Sequence, residues 1–494
     1  MFLPSNSSRA PRAVLSPPAL LSAFLVFALL VLAPAGSALA SEAGGHEGAS
    51  LHLDGASLSV WWALPFAGML LSIALFPLLA PHFWEHNFGK VALAWALAFL
   101  APCVIGLGTG VAVYAAVHTI VAEYLPFIIL LLALFAIAGG IRLKGSLSGT
   151  PRMNLVFLVV GTILASIMGT TGASMLLIRP YLAASAHRRH RVHTIVFFIF
   201  LVSNIGGSLT PLGDPPLFLG FLKGVTFFWT SVNVWPQTLS MVVALLLTHF
   251  LLDSYLYKKE GRPTVGGGEK IGLEGSFNFL LLLGVIGLVL LSGLWHSPVS
   301  VTVWADISYS LSDIVRDAGL LVLTVLTVVL TPKAVREGNN FTWGPIAEVA
   351  KIFFGIFITM IPAIAILRAG TEGAMSSLIA LVTAPDGGQV NIAYFWLTGA
   401  LSSFLDNAPT YLVFFNTAGG DAETLMNAFP QTLAAISCGA VFMGANSYIG
   451  NAPNFMVRSI SEERGVKMPS FFGYLGWSCC ILVPMFVVLS LVFF

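Results

Sequence analysis

The chain has 494 residues, of which 57% are hydrophobic and 9% are charged, and its mean hydropathy is +0.90. These values exclude a soluble globular protein of this length and predict an all-α polytopic membrane protein whose surroundings are a lipid bilayer. The formal net charge of +1 gives no indication of a nucleic-acid partner.

The first 40 residues have the pattern of a secretory signal peptide. Arg9 and Arg12 precede an apolar run from about residue 19 to residue 32, and small residues follow up to Ala40. We predict cleavage after Ala40, with an uncleaved signal anchor as the alternative. In both cases the following segment, 41–58, is expected to start on the extracytoplasmic side of the membrane.

Apolar runs of about 20 residues, long enough to cross a bilayer, recur along the rest of the chain. We predict ten spans, at residues 59–80, 91–112, 123–142, 194–222, 237–256, 277–295, 317–333, 343–367, 430–457 and 471–494. Two further runs, 153–184 and 392–416, carry a polar break with Gly or Pro in the middle. We predict that each is a re-entrant helical hairpin, which enters and leaves on the same side of the membrane.

The distribution of basic residues supports this topology. With an outside start, the clusters around Arg142, Arg189, Lys258, Arg336 and Arg458 all fall on one side, as the positive-inside rule requires. Each half of the chain then has five spans and one hairpin. Because five is an odd number, the second half is expected to be inverted relative to the first. The predicted units are repeat 1 at 59–256, a cytoplasmic linker at 257–276 and repeat 2 at 277–494.

Four polar interruptions stand out in the apolar runs. We name them the first tip (169–174), the first break (203–216), the second tip (402–410) and the second break (444–454). Interrupted hydrophobic segments at corresponding places in two halves indicate a transporter binding site at the interface of the repeats. We therefore expect the four segments to converge on one substrate.

The side chains of these segments match the needs of a small hard cation such as Na⁺, which binds several oxygen ligands. The predicted ion and substrate ligands are Thr170, Thr171, Ser174, Ser203, Asn204, Ser208, Ser402, Ser403, Asn407, Asn446 and Ser447. Asp406 and Asp214 are the predicted coupling residues, because a carboxylate near the midplane can hold either H⁺ or Na⁺. Both residues could instead start the helices that follow them, and the hydroxyls and amides could bond neighbouring helices.

Two motifs resemble the ion transporter superfamily, which includes NhaD-type sodium/proton antiporters, ArsB-type exporters and citrate or divalent-anion symporters. The run 402–410 is similar to the Ser-x-x-x-Asp-Asn-x-Pro tip of the antiporter branch, and 206–214 is similar to that branch's Gly-rich break ending in Gly-Asp. The resemblance covers most of the chain from about residue 60. It implies an inverted-repeat fold with hairpins, a homodimer, and elevator-like displacement of the part that bears the hairpins. Neither tip carries the Ser-Asn-Thr of the symporter branch.

These patterns favour a secondary antiporter of the cell inner membrane that exchanges Na⁺ or Li⁺ for H⁺. The alternative is cation-coupled transport of citrate or another organic anion, with the helix N-termini of both tips binding its carboxylates. A third possibility is a channel or a sensor that binds the ion without alternating access. No phosphate-binding loop, nucleophile triad or Cys/His metal spacing indicates an enzyme. We expect no cofactor besides the transported or coupling ions.

Overall fold

The computed structural model describes residues 52–145, 148–262, 272–295, 297–385 and 387–494. The predicted signal peptide, the segment 41–51 and the centre of the predicted linker lie outside the described residues. The described part is mostly helical.

Two series of helices follow each other along the chain. The first comprises α1 (Leu64–Leu79), α2 (Pro81–Leu107), α3 (Thr109–Thr119), α4 (Leu125–Ala138), α5 (Pro151–Met168), α6 (Thr170–Ala184), α7 (Val192–Leu201), α8 (Pro215–Leu222), α9 (Trp229–Asn233) and α10 (Trp235–Lys259). The second comprises α11 (Phe277–Leu294), α12 (Leu311–Leu330), α13 (Lys333–Gly338), α14 (Gly344–Arg368), α15 (Ser376–Val382), α16 (Asn391–Phe404), α17 (Asn407–Thr417), α18 (Ala422–Asn427), α19 (Pro430–Met443), α20 (Ala452–Glu463) and α21 (Phe471–Phe493).

Eight helical stretches within the described residues are long and apolar enough to cross a membrane. Seven of them overlap predicted spans, and the eighth is α5, the first arm of the predicted hairpin at 153–184. Many of these helices carry apolar side chains on the outside of the protein, such as Leu251, Leu280 and Leu491, which are 69%, 60% and 74% exposed. Lipid is the medium that accommodates such a surface. The chain is therefore a polytopic membrane protein.

The predicted bounds of the second and third spans are wrong. The helix predicted at 91–112 begins at Pro81 and ends at Leu107, and the next stretch begins at Thr109. Only Gly108 separates them. Its φ is 95°, a backbone conformation that residues other than glycine rarely adopt. A single glycine thus replaces the loop that the sequence analysis expected.

The predicted spans at 194–222 and 430–457 are interrupted helices, as their polar stretches indicated. The first consists of α7 and α8, separated by residues 202–214, and the second of α19 and α20, separated by 444–451. Prolines near the start of α8 and α20, together with the glycines of both breaks, prevent one helix from continuing through. Both breaks occupy the positions that the sequence singled out.

Each predicted hairpin contains two helices that fold back on each other. In the first, the backbone N–H of Gly149, just before α5, donates to the carbonyl of Ala184, the last residue of α6, at 2.8 Å. In the second, the rings of Tyr394 near the start of α16 and Phe414 near the end of α17 lie 6.4 Å apart. The outer ends of both pairs therefore meet, and the tips lie at the opposite ends of the pairs.

The two series interlock where the short helices pack. α8 packs against α17, and α6 packs against α20. Outside this region, α2 packs against α14, α11 against α12, and α16 against α19. The contacts across the halves bring the first tip and first break beside the second tip and second break.

Two small antiparallel sheets lie outside the helices. β1 (Arg142–Lys144) pairs with β2 (Gly272–Glu274), which joins the end of α4 to the start of α11. There the ammonium of Lys144 donates to the Glu274 carboxylate, and this hydrogen bond is the main reason why the pKa of Glu274 lies below its ordinary value. β3 (Ser300–Trp304) and β4 (Ile307–Ser310) form a hairpin before α12.

The predicted topology is testable at His190, which is exposed in the basic loop between α6 and α7. In a background without native cysteines, His190→Cys should resist a membrane-impermeant maleimide added outside, because the positive-inside rule assigns this loop to the cytoplasm. Thr302→Cys, on the exposed hairpin between β3 and β4, is the matched control and should be labelled. Ready labelling at position 190 in intact cells would contradict the ten-span topology.

Candidate central binding site

Asp214 is the hub of the polar interruptions. Its side chain is 1% exposed. Its Oδ1 accepts from Thr170 Oγ1 of the first tip at 2.9 Å and from Asn451 Nδ2 of the second break at 3.0 Å. Its Oδ2 accepts from Asn407 Nδ2 of the second tip at 2.5 Å. One carboxylate thus contacts all three other polar segments.

Four helix N-termini meet at this carboxylate. α6 begins at Thr170 and α17 at Asn407, while Asp214 and Asn451 immediately precede α8 and α20. The N-terminus of a helix carries the positive end of the helix dipole. Convergence of four such ends favours a negative charge at their meeting point.

Each of the two breaks contains a close contact between two of its own glycines, next to the residue that precedes the following helix. A Cβ atom on Gly213 would lie 2.1 Å from the carbonyl oxygen of Gly207, and one on Gly450 would lie 2.6 Å from the carbonyl oxygen of Gly444. Each pair is six residues apart, and its second glycine directly precedes Asp214 or Asn451. The same local structure therefore recurs in both halves.

The first tip is fixed to the first break by the backbone. Gly169 has a φ of 82° and ends α5, so that α6 can begin at the next residue in a new direction. The N–H of Thr170 donates to the carbonyl of Gly213 at 2.8 Å. This bond holds the Thr170 hydroxyl beside the Asp214 carboxylate.

Asparagines connect the two breaks directly. Asn451 Nδ2 lies 3.1 Å from the Ser203 carbonyl oxygen and 3.2 Å from Asn204 Oδ1. Asn204 Nδ2 donates to Asn454 Oδ1 at 2.7 Å. These amides, all buried, join segments about 250 residues apart in the sequence.

Asp406 occupies a different position from Asp214, although the sequence paired them as coupling residues. It is half-buried, and its Oδ1 accepts from the backbone N–H of Ala408 at 3.1 Å. This is the contact of a residue that caps the start of α17. The structure therefore brings Asp214, rather than Asp406, into contact with both tips.

The hydroxyl side chains among the other predicted ligands form no hydrogen bond with Asp214. Ser174 and Ser203 bond each other at 2.9 Å, which links the first hairpin to the first break. Ser208 turns away to Thr238 of α10 at 2.7 Å. Thr171 is half-buried next to Thr170. The remaining hydroxyls, Ser402, Ser403 and Ser447, bond backbone carbonyls of the second half.

One amide oxygen in the second tip and one in the second break lack a donor among the described residues. Asn407 is fully buried, and its Oδ1 has no hydrogen-bond partner. Asn446 is buried as well; its Nδ2 donates to Ser403 Oγ at 2.9 Å, and its Oδ1 has no partner. Such unpaired acceptors are the ligands that Na⁺ uses, so the second tip and second break fit a cation.

Asn451 and Asn454 belong to the site as well, although they are not among the predicted ligands. The signal for Asn451 is the match between Asp214-Pro215-Pro216 and Asn451-Ala452-Pro453, in which a side chain that can cap a helix stands two residues before a proline. Alignment of the two breaks on their glycine pairs would have identified it.

Comparison of the chain with known proteins identifies a matching protein family. Residues 55–494 match the family described as "putative citrate transport". An uncharacterized transporter of Mycobacterium bovis and one of Mycobacterium tuberculosis are each 24% identical to the chain over 412 residues. Each alignment covers 80% of this chain and 85% of the relative.

Proposed function

The chain belongs to this citrate transport family, and from that premise we propose that it carries a small organic anion such as citrate across the cell inner membrane, coupled to the movement of a cation. The convergence of four helix N-termini at Asp214 is the observation that carries the proposal. Carboxylate substrates bind such ends in other secondary transporters.

Asp214 supplies a reason for the coupling. An ionised Asp214 would repel a substrate carboxylate brought to the same helix ends, and solvent screens the two charges only weakly at a buried site. A proton on Asp214 or a Na⁺ ion beside it removes the repulsion. The unpaired oxygens of Asn407 and Asn446 are available to a cation in the neighbouring segments. Anion binding and cation binding then favour each other.

We further propose that the two halves are inverted repeats, that the hairpins α5–α6 and α16–α17 enter from opposite sides, and that the protein works as a homodimer. Alternating access would then be an elevator-like displacement of the hairpin-bearing part. The recurrence of the glycine pair and of the residues that precede α8 and α20 supports a repeat relation.

Sodium/proton antiport is the second candidate. The observation in its favour is that the protein's own carboxylate already occupies the meeting point of the helix ends, together with oxygens suited to Na⁺. In that case Asp214 would bind H⁺ and Na⁺ in turn, and no organic anion would be needed.

Purified protein in proteoliposomes separates the two candidates. We expect radiolabelled citrate to accumulate when an inward gradient of Na⁺ or H⁺ is imposed and not when both gradients are absent. When Na⁺ is added without citrate, a pH-sensitive dye inside the proteoliposomes should report no change in the internal pH. A Na⁺-induced pH change without citrate, together with no citrate uptake, would replace the proposal with antiport.

A further inference from the structure

A second buried polar cluster lies at the base of the first hairpin, apart from Asp214. It consists of His193 of α7 together with His249 and Asp253 of α10. Their side chains are almost completely buried, at 2%, 0% and 0% exposure. Each offers one ligand atom, and these atoms all lie within 4.8 Å of one another. We name these three residues the histidine cluster.

Buried polar atoms without hydrogen-bond partners lie in and beside the histidine cluster. Neither ring nitrogen of His249 has a hydrogen-bond partner among the described residues. Asn154, at the start of α5, donates through Nδ2 to Asp253 Oδ2 at 2.8 Å, but its own Oδ1 has no partner. A buried polar group without a partner costs roughly 1–3 kcal/mol. Two of these atoms are acceptors, the Asn154 oxygen and the unprotonated nitrogen of a neutral His249 ring, and their position beside a carboxylate indicates a missing positively charged ligand.

The charge balance indicates the same. The guanidinium of Arg188 bonds Asp253 Oδ1 and Glu260 Oε2, both at 2.8 Å. One cation therefore faces two buried carboxylates, and one negative charge is left over while the imidazoles are neutral. An isolated buried charge is strongly unfavourable. Either a proton on an imidazole or a bound cation can neutralise it.

We propose that the histidine cluster binds a divalent transition-metal ion, with Zn²⁺ as the best match. Two imidazoles and one carboxylate form a set that Zn²⁺ prefers, and His249 and Asp253 stand four residues apart on one face of α10. His193 comes from α7, 60 residues before Asp253 in the sequence. The ion would join α7 to α10 beside the base of the hairpin.

Binding changes one contact in the cluster. His193 Nε2 and Asp253 Oδ1 now share a hydrogen bond at 2.9 Å. When both atoms turn to the ion, that hydrogen bond is lost and any proton that neutralised the cluster is released. Asn154 holds Asp253 through Oδ2, and Arg188 bonds Oδ1, the same oxygen that contacts His193. Sequence spacing does not indicate this site, because its ligands lie on two separated helices.

The test uses full-length protein purified with a tag free of histidine. The protein is stripped with a chelator, exposed to Zn²⁺ and passed through a desalting column, and bound metal is measured by mass spectrometry. We expect about one Zn²⁺ per chain in the wild type. His249→Phe keeps a ring against Phe197, whose centroid lies 5.3 Å away, but removes a ligand. We expect Zn²⁺ affinity to fall by more than the roughly 10–100-fold that loss of an outer partner costs.

A second group of side chains provides the matched control. His82, Glu85 and His86 also form a possible metal-binding set, but all three are exposed on α2. His86→Ala should leave the tightly bound Zn²⁺ unchanged. Loss of that Zn²⁺ in His86→Ala, or its retention in His249→Phe, would overturn the proposal, and so would a wild type that binds none.

Thermal unfolding gives an independent readout. Zn²⁺ should raise the unfolding temperature of the wild type relative to chelator, because an ion that binds only the folded state stabilises it. His249→Phe should show no such rise. If His249 is only an unpaired core side chain, the variant should instead equal or exceed the wild type in stability both with and without Zn²⁺. These readouts do not depend on the transported substrate.

Discussion

Asp214→Asn is expected to reduce gradient-driven citrate uptake by at least about 100-fold while the protein remains folded and inserted. Asn has the same size, and Asn407 can turn its amide so that its unpaired Oδ1 accepts from the new side chain. The contacts with Thr170 and Asn451 can persist through the remaining oxygen. The variant cannot bind or release a proton, and it offers no charge to a cation. A 100-fold loss corresponds to roughly 2.8 kcal/mol.

Asp406→Asn is the matched control for Asp214→Asn. An Asn side chain can still accept from the N–H of Ala408, so the start of α17 stays capped. We expect uptake to change by a few-fold at most, since loss of a cap costs about 1 kcal/mol. Uptake and surface expression are measured for both variants in parallel. A larger loss in Asp406→Asn than in Asp214→Asn would move the coupling role to Asp406.

Gly213→Ala is expected to have the second large effect. The added Cβ would lie 2.1 Å from the carbonyl oxygen of Gly207, and its nearest neighbours are all backbone atoms that cannot rotate away. Relief of that clash must move Gly213 away from Gly207, and this movement disturbs the Gly213 carbonyl that accepts from the N–H of Thr170. Overpacking of this kind costs roughly 1–3 kcal/mol or more. We expect uptake to be lost and the unfolding temperature of the purified protein to fall.

Gly106→Ala shows what such a change does elsewhere. Gly106 lies inside α2, and a Cβ there meets no atom within 4 Å. Alanine is the better helix former, so stability should be equal or slightly higher. If Gly213→Ala matched Gly106→Ala in stability and uptake, the close packing of the first break would be unnecessary for transport.

The sequence predicts the polar tips and breaks well because their signals are local. Glycine, proline and amide side chains within apolar runs are conspicuous, and the structure interrupts helices at each of them. The apolar runs likewise predict seven of the eight candidate membrane-crossing stretches. Local patterns do not predict the helix break at Gly108, where one residue separates two helices.

The ranking of the two carboxylates could not be derived from the sequence either. Asp406 and Asp214 both stand at helix starts, and either could have been the hub. Asp214 gains its position from Asn407 and Asn451, which lie 193 and 237 residues away in the chain. These contacts arise only when the two halves pack, so they depend on tertiary structure. The residues of the histidine cluster all lie in the first half, but they too meet only through tertiary packing of separate helices.

Counterflow is the most direct measurement of the central claim, that the site at Asp214 exposes one organic anion to each side of the membrane in turn. Proteoliposomes are loaded with unlabelled citrate and diluted into labelled citrate, with the same Na⁺ concentration and pH inside and outside. We predict transient accumulation of label with the wild type, and also with Asp406→Asn. Equilibration without an overshoot, or no entry of label at all, would contradict the account.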